Sequence, residues 1–226
     1  MILIQKNSEP DSLREHRNTP GADFDGLDKT ELRDSLLKEQ GYLCAYCMKR
    51  IRQENKVKIE HYKARNKENE LLYQNLLAVC DGNETLAFNG NKVNPQRFTC
   101  DTRKKEQELH INPQDKNDME TIFYDNQGKI YSKNPEYQKE IDEVLNLNDP
   151  YGYLISNRRA ALEPLLKRIH DLKPGQDAMP LLRKVERYCY SKNDMQEYPE
   201  YVGILRWYVK NKLEGVDNGR EVKVWN

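Results

Sequence analysis

Apolar residues are distributed along the chain in distinct patterns, and the first of these predicts a helix. Between Asp28 and Gly41 they recur at helical spacing, at Leu32, Leu36 and Leu37. Asp28 and Glu31 are three positions apart, which is typical of a capping box at a helix start. Gly41 is expected to end this helix.

The pattern changes after residue 41. Over residues 42–113, short apolar pieces alternate with Asn, Lys and Gly, and four of the five cysteines fall in this segment. A segment with so few apolar residues is expected to need a bound metal ion to hold its fold. Further along, residues 121–124 and 129–132 flank an Asp-Asn-Gln-Gly sequence, which predicts a β-hairpin.

From residue 141 to Leu213, apolar residues again recur at helical spacing, which predicts about four helices. Breaks are expected near Asp149-Pro150, Lys173-Pro174-Gly175 and Tyr198-Pro199. The whole pattern predicts an α+β protein in three parts. These are an arm with a helix over residues 1–41, a metal-stabilised domain over 42–113, and a hairpin with a mainly α-helical region over 114–226.

Composition restricts the class of protein. The 226 residues have 37 basic and 37 acidic side chains and a mean hydropathy of −1.00. No run approaches the roughly 20 apolar residues of a membrane span, so an integral membrane protein is excluded. The first residues lack the basic flank of a secretory signal, and we expect a cytoplasmic protein. The balanced charge argues against nucleic-acid contacts over the whole surface, but it permits one local basic patch.

The cysteines predict a structural zinc site. Cys44 and Cys47 form a C-x2-C knuckle, and Cys80 and Cys100 supply a second pair separated by 19 residues. Four thiolates suit a closed tetrahedral zinc ion, and clustered cysteines in a reducing compartment are more often metal ligands than disulfides. The alternative is four unrelated buried cysteines. Cys189 lies in a helical pattern and is expected to be a plain buried thiol.

Glu60 and His61 are the strongest candidates for catalysis. They place a hard oxygen ligand beside a base that titrates near neutral pH, and metal-assisted phosphodiester hydrolysis needs both groups. His61 has two alternative interpretations, as a zinc ligand replacing a cysteine and as a surface histidine. The remaining three histidines are expected to be structural: His16, His110 and His170.

A basic stretch surrounds this pair. From Lys49 to Glu68 there are eight basic residues against three acidic ones, which is typical of a phosphate-binding surface. A solvated charged face would give the same pattern. The candidate nucleic-acid contacts are Lys58, Lys63, Arg65 and Arg103. No base-reading element is visible, so we expect weak sequence preference.

The order of these motifs resembles that of the HNH nucleases. The motifs are the C-x2-C knuckle, Glu60-His61, Asn75-Leu76-Leu77 and the second cysteine pair closing in Cys100-Asp101-Thr102-Arg103-Lys104. The wider sequence, through Ile111-Asn112-Pro113 and Leu145-Asn146-Leu147-Asn148 to Arg158-Arg159, is similar to the HNH subunit of the Septu anti-phage system, also found beside some retrons. The resemblance implies a ββα-metal core, DNA endonuclease activity and an ATPase partner.

The resemblance also implies a role for each motif residue. His61 would be the general base that activates water, and Glu60 and Asp101 would hold a catalytic Mg²⁺ or Mn²⁺ ion. Asn75 would hold the loop behind the histidine by hydrogen bonds, and Lys104 would lie near the scissile phosphate.

Two other functions compete with this one. A zinc-stabilised module would bind nucleic acid or protein without cutting, but it would not need the Glu60-His61 pair. A free-standing restriction-like nuclease would cut without a partner. The helical tail has no catalytic group, which favours docking on a partner or additional core. Its aromatic residues fit either: Tyr151, Tyr153, Tyr188, Tyr190, Tyr201, Trp207 and Tyr208.

Overall fold

The computed structural model describes residues 1–52, 57–84 and 94–217. Within these residues it contains eight α-helices and two antiparallel sheets of two strands each, which confirms the predicted α+β class. The helices are α1 Asp11–Arg17, α2 Thr30–Glu39, α3 Cys100–Lys104, α4 Lys116–Glu120, α5 Pro135–Lys139, α6 Tyr153–His170, α7 Met179–Tyr190 and α8 Val202–Asp217. The strands are β1 Lys58–His61, β2 Leu76–Val79, β3 Ile122–Tyr124 and β4 Ile130–Ser132.

The first predicted helix is α2, and its three leucines are fully buried. The N-cap residue is Lys29 and not Asp28, although the Asp28 carboxylate accepts hydrogen bonds from the amide and hydroxyl of Thr30 at 3.0 and 2.8 Å. The capping box is wrong, because the Glu31 carboxylate accepts instead from the Ser12 amide in α1 at 3.1 Å. Gly41 follows with φ 62°, and a Cβ there would lie 2.3 Å from the Tyr198 ring, so only glycine fits.

Strands β1 and β2 form the sheet of the cysteine-bearing segment. They pair antiparallel, with Glu60 opposite Leu77 and His61 opposite Leu76, and every residue of β2 is buried. Helix α3 follows β2 along the chain. Because consecutive strand residues point to opposite faces, the side chains of Glu60 and His61 leave β1 in opposite directions.

The predicted hairpin is confirmed as β3 and β4. Its turn is closed by Asp125, whose carboxylate accepts from the amides of Gln127 and Lys129, each at 2.9 Å. Gly128 has φ 97°, and a Cβ there would lie 2.2 Å from the Ile155 carbonyl oxygen. The turn therefore packs directly against α6.

The predicted helical tail is also confirmed. Over residues 135–217 there are four helical stretches, and the three predicted breaks fall between them. The first stretch continues from α5 into a π-helical turn over Glu140–Val144. Leu162, Leu182 and Val209 are buried where the helices meet. No helix among the described residues has both the length and the apolar character that crossing a membrane requires.

Several contacts join the helical tail to the cysteine-bearing segment. Arg50 donates to the carbonyl oxygen of Tyr198, and the Tyr201 amide donates to the Met48 carbonyl at 3.0 Å. The buried residues of both parts belong to one continuous core. Residues 114–217 therefore pack against the segment that carries the candidate site.

Candidate functional site

The four predicted zinc ligands meet at one point. Neighbouring sulfurs are 3.8 Å apart between Cys44 and Cys100, and 3.7 Å apart in the pairs Cys47–Cys80 and Cys80–Cys100. All four sulfurs lie within 4.8 Å of one another, and all four residues are buried. A tetrahedral ion with bonds of about 2.3 Å to sulfur requires sulfurs about 3.8 Å apart. The cysteine cluster, Cys44, Cys47, Cys80 and Cys100, therefore has the dimensions needed to hold a metal ion such as zinc.

Local backbone geometry brings these four cysteines together. In the knuckle, the Met48 amide donates to the Cys44 carbonyl at 3.1 Å, and Met48 has φ 66°, which turns the chain sharply. Cys80 directly follows β2, and Cys100 begins α3. The 19-residue loop between them is closed at its base, where the Thr99 amide donates to the Gly82 carbonyl at 3.0 Å.

The thiols influence one another electrostatically. Hydrogen bonding with Cys44, Cys47 and Cys80 raises the pKa of Cys100 well above its usual value. A cluster of thiols without a cation resists losing further protons, because each additional thiolate would lie beside another negative charge. A bound cation removes this repulsion, so the donor set fits a metal ion that binds thiolates.

On one face of β1, Glu60 lies beside Asp101 of α3. Burial raises the pKa of Glu60 to about 8, and the hydrogen bond with the Asp101 carboxyl group contributes in the same direction. Tyr46, inside the C-x2-C knuckle, donates its hydroxyl to Glu60 at 3.2 Å. The acidic pair, Glu60 and Asp101, therefore lies directly beside the cysteine cluster, and two adjacent carboxylates are typical of a site for a hard cation.

Lys104 opposes this rise, because its positive charge lowers the pKa of Glu60. Its ammonium group lies 2.8 Å from the Glu60 carboxylate, and both side chains are almost completely buried. It also lies 3.4 Å from the carbonyl oxygen of His61. Lys104 thus packs against the acidic pair, where its ammonium group contacts the Glu60 carboxylate and is shielded from solvent.

His61 faces the opposite side of β1. Its Nε2 atom lies 3.0 Å from the Glu70 carbonyl oxygen, and its ring packs edge-on against Phe24 with centroids 4.5 Å apart. Burial lowers the pKa of His61, which favours the neutral imidazole that a general base requires. The structure therefore brings Glu60, Asp101 and Lys104 together and places the His61 ring in a separate environment.

Asn75 holds the backbone segment that follows His61. Its carbonyl oxygen accepts from the Lys63 amide at 2.7 Å, and its amide group donates to the Lys63 carbonyl at 3.1 Å. The backbone carbonyl of Asn75 accepts from the Tyr62 amide at 2.8 Å. These bonds hold the chain immediately after His61.

The predicted nucleic-acid contacts are partly neutralised by acidic neighbours. Lys58 lies 2.7 Å from Glu84, and Arg65 binds both carboxylate oxygens of Asp25 and also Glu70. Lys63 lies over the Tyr62 ring, and the partly buried Arg103 donates to the Glu143 carbonyl at 3.4 Å. Lys56 belongs to the same predicted stretch but lies outside the described residues.

Sequence reasoning missed Phe24 and Tyr46, which contact the two candidate catalytic residues. The position of Tyr46 inside the knuckle was a usable signal, since a zinc site would hold it near the segment carrying Glu60. Nothing in the sequence around Phe24 indicated contact with His61, 37 positions away.

Comparison with known proteins does not assign the chain to a family. No protein-family model matches it, and no curated protein matches it significantly.

Proposed function

We propose that this protein is a metal-dependent DNA endonuclease of the HNH type, with zinc in the cysteine cluster and Mg²⁺ or Mn²⁺ at the acidic pair. The observation that carries the proposal is the acidic pair itself. One carboxyl group from β1 and one from α3 meet beside the cysteine cluster. Strand β1, strand β2 and helix α3 follow one another in this order along the chain.

The environment of the acidic pair supports a cation-dependent reaction. Burial and the proximity of Asp101 make a charged Glu60 unfavourable, and a divalent cation would stabilise the ionised form of both groups. The cation would compete with Lys104 for Glu60. A displaced Lys104 would then be available to the phosphate, where a positive charge stabilises the developing negative charge.

His61 supplies the base in this proposal. Its lowered pKa keeps the ring neutral at physiological pH, and Asn75 holds the chain that follows it. Since the His61 ring and the Glu60 carboxylate leave β1 from opposite faces, the phosphate would have to lie at the end of the strand, where His61 is the last residue.

Cleavage assays on purified full-length protein test this function. His61→Ala should reduce Mg²⁺- or Mn²⁺-dependent DNA cleavage by roughly 10²- to 10⁴-fold, because a general base contributes about that much to the rate. Asp101→Asn should raise the divalent-ion concentration required. His170→Ala, an exposed histidine at the end of α6, is the matched control.

Zinc content and circular dichroism should be unchanged in all three variants. Cleavage by His61→Ala at the wild-type rate would place the base elsewhere. A folded, zinc-containing wild type that binds DNA but does not cut it in either metal would favour the binding module. The Glu60–Lys104 ion pair favours that second function, because it satisfies the carboxylate without a divalent ion.

We further propose that the nuclease acts as the cutting subunit of a Septu-like anti-phage complex and docks on an ATPase through its helical tail. Four tail tyrosines are exposed, including Tyr151 at 75% and Tyr188 at 61%, whereas Tyr201 and Tyr208 belong to the core. Exposed aromatic side chains are enriched in protein interfaces.

Co-expression and co-purification with an ATPase of the Septu type tests the docking surface. Since the tail shares its core with the rest of the protein, point substitutions are preferable to truncation. Tyr151→Ser with Tyr188→Ser should reduce recovery of the ATPase, whereas Leu72→Ser, an exposed apolar residue outside the tail, should not. Equal recovery with both variants would remove these tyrosines from the interface.

A further inference from the structure

A groove outside the candidate nuclease site lies between the β3–β4 hairpin and α8. Its volume is about 420 Å³, and its walls include Phe123 of β3, Tyr190 at the end of α7 and Trp207 of α8. Sites for small ligands usually occupy about 300–1,000 Å³ and are lined by apolar and aromatic side chains. The groove therefore has the size and the lining of a ligand site.

The aromatic rings are held in place by their neighbours. Phe123 stacks on Tyr131 with centroids 5.3 Å apart and an angle of 19° between the rings. The Arg206 guanidinium lies 4.4 Å from the centre of the Tyr190 ring and donates to the Cys189 carbonyl at 2.9 Å. Rings that are already fixed lose little conformational entropy when a flat ligand stacks against them.

The rim of the groove is positively charged, although the whole chain has a formal net charge of zero. Its charged side chains are four cations, Lys116, Lys133, Arg206 and Lys210, against two carboxylates, Glu120 and Glu214. Glu120 and Glu214 lie 3.7 Å from Lys116 and Lys210, one turn away on their own helices. Each carboxylate offsets one lysine, and Lys133 and Arg206 then leave the rim with a net positive charge that attracts anions.

We propose that this groove binds a nucleotide, with its base stacked on the aromatic walls and its phosphate on the basic rim. Flat rings beside lysines are the combination by which proteins bind unpaired bases and their backbone. An acidic peptide would use the cations but would leave the ring faces without a stacking partner. The nucleotide is either free or part of a single-stranded nucleic acid.

This site is separate from the proposed nuclease chemistry. None of Glu60, His61 and Asp101 lines the groove, and stacking requires no divalent cation. Binding is therefore measured without added Mg²⁺, and the Asp101→Asn variant should bind as the wild type does. Loss of cleavage with intact binding would overturn only the proposed nuclease. Intact cleavage without nucleotide binding would overturn only the nucleotide site.

Tryptophan fluorescence provides a direct test on the full chain. The protein has two tryptophans, and Trp225 lies outside the described residues, so a Trp225→Phe background reports on Trp207 alone. We expect a ten-residue oligo-dT to quench this signal. Lys133→Glu with Lys210→Glu should weaken binding by at least about tenfold, whereas Lys167→Glu, an exposed lysine of α6, should change it little.

Free dTMP and ATP distinguish the two sources of the ligand. Quenching by either, with competition against oligo-dT, indicates a mononucleotide site, and quenching by oligo-dT alone indicates a strand. No quenching by any of the three would overturn the proposal. The same follows if polyglutamate competes as well as oligo-dT, or if Lys167→Glu weakens binding as much as the groove variant does.

Discussion

The cysteine-bearing segment, residues 42–113, and the helical region, residues 114–217, are stabilised in different ways. Among described residues, the first contains the four clustered thiols and a buried ion pair between Glu60 and Lys104. The second is held by apolar side chains at helical spacing, such as Leu162, Leu182 and Val209. A region with many buried polar groups depends on compensating charges, whereas an apolar core does not. We therefore expect metal removal to affect the stability of the two regions unequally.

The largest effect is expected when a cysteine of the cluster is replaced. Cys47→Ser and Cys100→Ser should each abolish stoichiometric zinc binding, since structural zinc contributes roughly 10–16 kcal/mol of apparent binding energy that is coupled to folding. Atomic absorption and thermal unfolding measure the two losses. We expect about one zinc per wild-type chain.

Cys189→Ser is the matched control for this comparison. Cys189 is fully buried in α7, outside the cluster, and burial raises its pKa to about 11, so it behaves as the plain thiol that was predicted. Its replacement should leave the zinc content unchanged. Normal zinc content and stability in both cluster variants would refute the metal site.

An intermediate effect is expected from a cavity in the helical region. Leu162→Ala removes a fully buried side chain of α6 and should lower the free energy of unfolding by about 2–5 kcal/mol. The zinc content of the folded protein should stay the same, because the cluster lies in the other region. Denaturant unfolding combined with metal analysis measures both quantities. Zinc loss at denaturant concentrations that leave the helices folded would show that the regions respond separately.

The smallest effect concerns a contact between the two regions. His110 lies 2.7 Å from Glu140, and this hydrogen bond, followed by the charge of Glu136, raises the pKa of the exposed His110 ring above 6.5. Because the pKa of His110 is higher in the folded than in the unfolded protein, the contact makes its full contribution to stability below pH 6.5. That stability is lost as the pH rises through the folded value.

Melting temperatures of the wild type and His110→Ala across this range test the contact. The wild type should be slightly more stable at acidic pH, and the difference should shrink above pH 6.5. A difference that is constant with pH would mean that protonation of His110 plays no part.

Much of the fold could be predicted from local sequence, because the relevant signals are local. The breaks between tail helices coincide with proline- and glycine-containing sequences, and the Asp125 turn has the residue types that close a hairpin. The C-x2-C knuckle likewise indicated the cysteine cluster. Helix α1 was missed because only Leu13 is buried in it, and one apolar residue makes no periodic pattern.

The chemistry of the candidate site depends on contacts between distant positions, which local patterns do not encode. Lys104 looked like a phosphate contact, but it is buried against Glu60, 44 residues earlier. Tyr188 and Tyr208 both follow helical spacing, yet the first is exposed and the second is buried. Only the packing of α7 and α8 against the remaining structure decides which face of each helix reaches solvent.

The closed base of the loop between Cys80 and Cys100 has a consequence for protein engineering. The two sulfurs are 3.7 Å apart, and the Thr99–Gly82 hydrogen bond joins the loop ends a second time. Lengthening a loop whose ends are fixed costs only about 0.6 kcal/mol for each doubling. An insertion between Gly82 and Thr99 would therefore start and end at anchored positions, and it should cost little stability.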